Sequence, residues 1–362
     1  MAFFRTLPGK ITLAVLFVLV LAALNGPMHN RAIIGAFYQR IVMLIGIAII
    51  LSVSLNLVNG VTGQFSIGHA GFMAIGSYVG AAFTVYGQHR FLPHLEKADF
   101  ITGQMVLLAA LLAAGLAAAV AGFVVGLPSL RLRGDYLAIV TLGFGEIIRV
   151  CILNIEAVGG SAGFRGISGP AGFVSIAPLT NFFWVYLVVV VVVLFSRNLL
   201  RSSSGLELFS IRDDEIAAEA MGVPTTRLKV TAFVMSAFYA GVAGCLFAHY
   251  DRYLAPETFN FLRSIEIVTM VVLGGMGSIS GAIVGAIILA GTPELLKLGM
   301  SSLAQRGALP KGLSPDLIRQ LLYALLLIIL MLTRPQGIFG HREITILGLF
   351  KRKSKPQAPA AG

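Results

Sequence analysis

Apolar segments long enough to cross a membrane recur along the whole sequence. A hydrocarbon core about 30 Å thick requires roughly 20 apolar residues in a helix. The segments do not alternate apolar and polar residues, as the strands of a membrane β-barrel do. The sequence therefore predicts an all-α polytopic membrane protein. Its apolar segments lie near residues 11–24, 41–58, 65–86, 103–127, 136–156, 181–196, 229–248 and 317–333, with a longer one near 264–298.

The composition excludes a soluble globular domain. The 362 residues are 57% hydrophobic and 12% charged, whereas soluble domains carry about 25% charged residues. The net charge of +11 raises the alternative of nucleic-acid binding. We prefer the interpretation that Lys and Arg beside the spans hold loops on the cytoplasmic side. Cys151 and Cys245 fall inside predicted spans, where we interpret them as free thiols.

The segment 264–298 is too long for a single crossing, since one helix would extend roughly 50 Å. Its middle, LGGMGSISGA at Leu273–Ala282, interrupts the apolar pattern with glycines and serines. We therefore predict two short spans or a re-entrant pair. This division gives about ten spans with both termini cytoplasmic. It leaves 15 Lys and Arg on the cytoplasmic side and 11 outside, whereas without it each side carries 13.

The chain divides into three regions. We interpret residues 1–30 as a retained first span with its flank, because no small-residue cleavage pattern follows the apolar run. Residues 31–340 form the transmembrane domain, and its longest polar interruption, residues 197–229, falls on the cytoplasmic side. The basic, Pro- and Ala-rich tail at 341–362 is predicted to be disordered.

Patterns that would indicate an enzyme are weak. The Gly-rich phosphate loop of ATP-hydrolysing proteins does not occur. GGSAG at Gly159–Gly163 matches the nucleophile-elbow pattern, but it lies in a predicted loop and not between a strand and a helix. His89 and His94 share another loop without further ligands, so we predict no metal site.

One acidic residue, Glu146, lies well inside an apolar span. Arg149 follows three positions later and shares its helix face, so the two can neutralise each other. We prefer a structural ion pair that faces another helix. A proton relay is the alternative.

Three GxxxG patterns predict close contacts between helices. They are the pairs Gly76 and Gly80, Gly122 and Gly126, and Gly281 and Gly285.

Two stretches place glycines and small polar residues where a span should begin: Asn59–Tyr78 and Leu273–Ala286. Transporter sites are often built from such broken helices, because the freed amide groups at a half-helix N-terminus suit a carboxylate. The alternative is a tight turn that glycine merely permits. We predict that the following side chains face the substrate pathway: Gln64, Ser66, His69, Ser278 and Ser280.

The stretch IRDDEIAAEAMGVP at Ile211–Pro224 predicts a short, charged, water-soluble helix over residues 213–221. Its three acids favour the N-terminal end of a helix dipole, Gly222 can cap the C-terminal end, and Pro224 prevents continuation. Its alanines make it slim, which suits a groove on another protein. The alternative is a helix that lies on the membrane surface.

Within this stretch, EIAAEAMG resembles the E-A-A…G loop of ABC importer permeases, the loop that docks into the ATPase subunit. Four further stretches resemble the LivM-type permeases of branched-chain amino acid importers: TGQFSIGHAGFMAIGSY, RLRGDYLAIVTLGFGEIIR, MVVLGGMGSISGAIVGA and TRPQGIFG. The resemblance covers roughly residues 40–340.

The resemblance implies a multi-pass permease in the bacterial inner membrane that pairs with a second, LivH-like permease. It also implies two ABC ATPase subunits on the cytoplasmic side and a periplasmic substrate-binding protein. ATP would be hydrolysed by the partners, with no cofactor bound by this chain. The residues assigned to ATPase coupling are Arg212, Asp213, Asp214, Glu215, Ala218, Glu219, Ala220 and Gly222.

The resemblance favours leucine, isoleucine and valine as substrates, because GQFSIGHAGF and RPQGIFG are most similar to the amino-acid branch. A permease for urea or short amides is the alternative within the same family. A stand-alone secondary carrier is the alternative from another class, and an integral membrane enzyme ranks below both.

Overall fold

The computed structural model describes residues 35–90, 100–130, 132, 134–169 and 172–305, with a few isolated positions nearer the chain ends. Within these ranges the chain is mostly helical, which confirms the predicted fold class. The apolar segments near 11–24 and 317–333, the tail at 341–362 and His94 lie outside these continuous ranges.

Ten α-helices and two short strands follow one another in the described ranges. The helices are α1 (Ala36–Asn56), α2 (His69–Arg90), α3 (Phe100–Ser129), α4 (Asp135–Leu153), α5 (Phe182–Leu200), α6 (Ser203–Asp213), α7 (Glu215–Ala220), α8 (Thr225–Asp251), α9 (Phe261–Gly274) and α10 (Ile279–Gln305). A π-helical turn at Leu57–Val61 continues α1. The strands β1 (Gly166–Gly169) and β2 (Gly172–Ser175) form an antiparallel hairpin.

Seven of the described helices are long and apolar enough to cross a membrane: α1 with its π-helical turn, α2, α3, α4, α5, α8 and α10. They match the apolar segments predicted between residues 41 and 298. Helix α9 has only 14 residues, or about 21 Å at 1.5 Å per residue, which is too short for a crossing of its own.

Helix α8 lies at the centre of the bundle, in contact with α1, α2 and α3. Small residues let it approach α2 closely: a methyl group on Gly76 would lie 2.1 Å from the carbonyl oxygen of Gly241. The Ser77 hydroxyl also donates to the carbonyl oxygen of Gly244 over 2.9 Å. Gly76 therefore cannot carry even an alanine side chain without moving α2 and α8 apart.

The other two GxxxG patterns also lie at helix contacts. A methyl group on Gly122 of α3 would lie 2.5 Å from the Ala237 side chain of α8. A methyl group on Gly281 of α10 would lie 2.3 Å from the carbonyl oxygen of Gly274, the last residue of α9. The predicted role of these glycines in helix packing is confirmed.

The segment 264–298 is divided, as predicted. Helix α9 ends at Gly274, and α10 begins at Ile279 after a tight turn. The two helices pack against each other as a hairpin.

The loop that carries GGSAG has no strand ahead of it. Gly160–Ala162 forms a 3₁₀ turn, and the chain reaches it from α4 through another 3₁₀ turn at Glu156–Val158. The nucleophile-elbow geometry is therefore absent from this described loop, in agreement with the sequence analysis.

Candidate coupling and translocation site

The first interruption of the helices, residues 57–68, lies between α1 and α2 and is called the first break. After the π-helical turn the chain is non-helical until His69, where α2 begins. The Asn59 side chain holds this connection: its Nδ2 donates to the carbonyl oxygen of Ser66 and its Oδ1 accepts from the N–H of Ser66, each over 3.1 Å. Gly63 has a φ of 71°, which favours glycine. The predicted interruption near Asn59 is therefore a connection with a defined structure, held by hydrogen bonds.

The second break is the turn between α9 and α10, residues 275–278, and it contacts the first break. The backbone N–H of Gly277 donates to the side-chain oxygen of Asn56 over 2.8 Å. A methyl group on Gly60 would lie 2.2 Å from the nitrogen of Gly277. Gly277 has a φ of 90°. The two stretches that the sequence singled out separately thus form one site.

The predicted pathway residues line these two breaks, mostly as buried side chains. Ser66, His69 and Ser278 are each at most 2% exposed. His69 Nε2 lies 2.9 Å from the Ser54 hydroxyl, and the Ser278 hydroxyl accepts from the N–H of Gly281. Ser280, which follows on α10, is half-buried. Their role in a substrate pathway stays a prediction.

Gln64 differs from these residues. It is buried, at 7% exposed. Its Oε1 atom has no hydrogen-bond partner among the described residues. An unpaired buried amide oxygen costs free energy, and such groups are commonly tied to function.

The predicted charged helix exists, but it begins two residues later than expected. Asp213 ends α6, and Asp214 is the N-cap residue of α7. The Asp214 carboxylate accepts from the N–H groups of Ile216 and Ala217 over 2.9 and 3.1 Å. The prediction that three acids occupy the first turn is therefore wrong for Asp213 and Asp214, because the capping geometry places Asp214 outside the helix. Glu215 alone lies in that turn.

The C-terminal end of α7 agrees with the sequence analysis. Gly222 has a φ of 87°. Its N–H donates to the carbonyl oxygen of Glu219, and the N–H of Val223 donates to that of Ala218. These bonds satisfy the last carbonyl groups of the helix, so Gly222 caps it.

One side of α7 is anchored and the other is exposed. Ala218 is buried at 5% exposed, and Glu215 forms an ion pair of 2.5 Å with Lys229 of α8. On the open side, Ile216 is 66% and Met221 84% exposed, beside exposed Glu219 and Ala220. Sequence reasoning did not single out Ile216 and Met221, because the sequence does not show which side of the helix is exposed.

Helix α6 joins α7 to the first break. Leu208 packs with Val61 of the π-helical turn and with Ala232 of α8 in a small buried cluster. Arg212 Nη1 donates to the carbonyl oxygen of Gly60 over 2.9 Å. The sequence grouped Arg212 with the residues that meet the ATPase, but its guanidinium lies against the broken helices.

The ion pair expected on α4 is formed. Arg149 Nε lies 2.7 Å from a carboxylate oxygen of Glu146, and both side chains are partly exposed. A second pair of the same spacing, Arg263 with Glu266 at 2.5 Å, lies on α9. Sequence reasoning missed this pair because Glu266 stands at the margin of an apolar segment. Within the described part of the chain, His, Cys, Asp and Glu form no group that could hold a metal ion.

Comparisons with known proteins agree with these features. The family described as "Branched-chain amino acid transport system / permease component" matches residues 37–331. The permease protein LivM of the high-affinity branched-chain amino acid transport system of Salmonella typhimurium is 36% identical over 319 residues, which cover 81% of this chain and 67% of the relative. LivM of Escherichia coli K12 gives the same values.

A more distant relative extends the comparison to a second type of permease. LivH of the E. coli K12 high-affinity branched-chain amino acid transport system is 24% identical over 332 residues, 88% of this chain and 96% of the relative. No solved structure matches the chain. The family match covers most of the sequence and includes both breaks and α7, so this chain belongs to the permease component family of branched-chain amino acid transport systems.

Proposed function

We propose that this chain is the membrane-spanning permease subunit of an ATP-driven importer that carries leucine, isoleucine and valine across the bacterial inner membrane. The likeness to two LivM proteins over 81% of the chain supports this substrate class. The weaker likeness to LivH supports a pair of related permeases, one of each type.

The observation that carries the proposal is the anchored and capped helix α7. The sequence has no phosphate loop of its own, so ATP must act through another chain. Helix α7 is held to α8 by the Glu215–Lys229 ion pair and exposes Ile216 and Met221. Such an anchored element with exposed apolar residues suits the groove of an ATPase subunit, and we call α7 the docking helix.

In this proposal, two ATPases bind on the cytoplasmic side, where α6 and α7 and both chain termini lie. A periplasmic binding protein delivers the substrate to the opposite side. The substrate passes near the two breaks, beside Gln64 and Ser280. The freed N–H groups of such broken helices suit the carboxylate of an amino acid.

The test is uptake into vesicles that contain the complex purified with its partner subunits. We expect ATP-dependent uptake of leucine that excess isoleucine or valine suppresses, with no uptake of urea or benzoate. Uptake of urea in place of leucine would overturn the substrate class. Uptake by the purified single chain, driven by an ion gradient without any ATPase, would identify a secondary carrier.

A further inference from the structure

Arg212 lies where the docking helix, the first break and the second break come together. We propose that Arg212 is a positioning residue for transport: it holds the two breaks together and releases them when the docking helix moves. This inference rests on the proposed function, because the movement comes from the ATPase.

A hydrogen bond joins the Arg212 side chain to Gly60. Gly60 lies in the final turn of the π-helix that ends at Val61. The last carbonyl groups of a helix lack partners within it and carry the negative end of its dipole. The Arg212 guanidinium supplies a charged donor to one of them over 2.9 Å. Charged donors make the stronger hydrogen bonds, so this contact fixes the end of the first broken helix.

The same Arg212 side chain also lies against the second break. A methyl group on Gly277 would lie 2.6 Å from Arg212 Nη1, and one on Gly63 would lie 3.1 Å from Arg212 Cγ. Both glycines have a positive φ. Arg212 therefore fills the space that the side chains of ordinary residues would need, and both breaks are shaped around it.

Only a short connection separates Arg212 from the docking helix α7. Asp214 alone separates α6 from α7, and Arg212 is the penultimate residue of α6. Leu208, one turn earlier, packs with Val61. A displacement of α6 by about 1 Å along the bond would carry the contact to Gly60 beyond hydrogen-bond distance. A movement of α7 that shifts α6 by this distance thus breaks the contact between Arg212 and Gly60.

The consequence for transport concerns the contact between the breaks. When Arg212 withdraws, α1 and the α9–α10 segment keep at least two described hydrogen bonds, from Gly277 to Asn56 and from the Ser52 hydroxyl to the carbonyl oxygen of Ala282. The hairpin of α9 and α10 can then shift relative to α1. Coupling therefore depends on a side chain that points away from the ATPase, toward the membrane-embedded breaks.

The test compares Arg212→Met, which keeps an unbranched apolar stem but removes the guanidinium, with Arg227→Met. Arg227 lies in the same cytoplasmic segment and is exposed, so it controls for the loss of one positive charge. Both variants are purified as the full complex. We expect Arg212→Met to retain its ATPases and to hydrolyse ATP. Its leucine uptake per ATP falls about tenfold or more, as for the loss of a charged hydrogen bond. Arg227→Met keeps the wild-type ratio.

Hydrogen–deuterium exchange of the full-length chain in lipid nanodiscs gives a second readout that needs neither substrate nor ATPase. We expect faster exchange at residues 57–68 and 275–278 in Arg212→Met, and wild-type exchange in Arg227→Met. Wild-type exchange in Arg212→Met overturns the proposal even if leucine is transported. If wild-type complex moves no leucine, the proposed function fails while the exchange experiment still decides the role of Arg212.

Arg212→Lys covers the case in which the methionine variant does not assemble. An ammonium group can reach the carbonyl oxygen of Gly60, but it lacks the planar extension that lies against Gly277. We expect faster exchange at 275–278, with 57–68 close to wild type. Unchanged exchange in both segments of this variant contradicts the proposal.

Discussion

The ammonium group of Lys229 lies 2.5 Å from a carboxylate oxygen of Glu215, and only 5% of the lysine side chain is exposed. The lysine belongs to the first turns of α8, and the glutamate opens α7. A buried cation loses hydration and depends on its partner. The pair therefore ties the docking helix to the central helix of the bundle.

The first prediction removes the charge of this partner. We expect Glu215→Gln to leave Lys229 buried without its counter-charge and to lower the free energy of unfolding by about 1 to 3 kcal/mol. Thermal unfolding of the purified chain measures this. Glu219→Gln on the exposed side of the same helix is the control and should unfold as wild type does. Equal unfolding temperatures for the two variants would contradict the anchoring role.

The second prediction concerns the cap of α7. Nothing lies within 4 Å of a methyl group added to Gly222, so Gly222→Val meets no steric obstacle and acts through its φ of 87°. A β-branched residue held in this conformation raises the free energy of the folded state by about 1 to 2 kcal/mol or more. We expect the variant to insert and bind the sister permease but to lose coupling of ATP hydrolysis to uptake.

Gly222→Asn separates conformation from side-chain size, because asparagine tolerates left-handed backbone. It should restore coupling, measured as uptake and ATP turnover side by side in the same preparation. Failure of both variants alike would mean that the absence of a side chain at Gly222, and not its backbone angle, is what matters.

The third prediction concerns the exposed side of α7. Glu219→Lys places a cation near the C-terminal end of the helix, where the dipole favours it. We therefore expect no loss of helix stability, but weaker co-purification of the ATPases and impaired coupling. Glu156→Lys, at another exposed position away from α7, controls for the charge change. Normal coupling in the Glu219 variant would indicate that α7 is only a surface feature.

The fourth prediction concerns the Oε1 atom of Gln64, which has no described hydrogen-bond partner. Gln64→Leu removes a buried acceptor without a described partner, so we expect it to raise stability by about 1 kcal/mol while reducing uptake. Gln88 is also buried, and its Nε2 atom likewise has no described partner. Gln88→Leu should raise stability and leave uptake unchanged. Normal uptake in both variants would show that Gln64 takes no part in the substrate pathway.

Ser66 lies in the same break as Gln64 and is 2% exposed. Ser66→Leu should block transport, but the burial of this residue means that the larger side chain also strains the break. Gln64→Leu is therefore the more informative variant.

The fifth prediction concerns sidedness. Cysteines introduced at Ser203 and Ala162 are both at exposed positions. We expect a membrane-impermeant thiol reagent to label the first only from the cytoplasm and the second only from outside. Cys151 is exposed and must first be replaced, whereas Cys245 is buried. Labelling of both positions from the same side would overturn the proposed orientation.

The sequence was sufficient for features that depend on local pattern. The glycines and serines between Leu273 and Ala282 interrupt an apolar run, and a helix of that length cannot fit in a bilayer, so the division of 264–298 was predictable. Gly222 and Pro224 likewise end α7 by local backbone chemistry.

Features that depend on distant contacts were not predictable. Asn56 and Gly277 are 221 positions apart, and no periodicity in either segment indicates that they meet. The direction of the Arg212 side chain follows from the packing of α6 on the π-helical turn, which composition does not reveal. The start of α7 was misplaced because any of three consecutive acids could have served as the cap.

The bond between Asn56 and Gly277 also has a consequence for biogenesis. Because 221 positions separate the two residues, and ribosomes add about 5 to 20 residues per second, Asn56 waits for roughly 10 to 45 s before its partner has been synthesised. Arg212 follows Gly60 by 152 positions and is synthesised after roughly 8 to 30 s, so for that part of the interval the π-helical turn has neither Gly277 nor Arg212 beside it. The first break therefore acquires its final structure only after the second break has been synthesised.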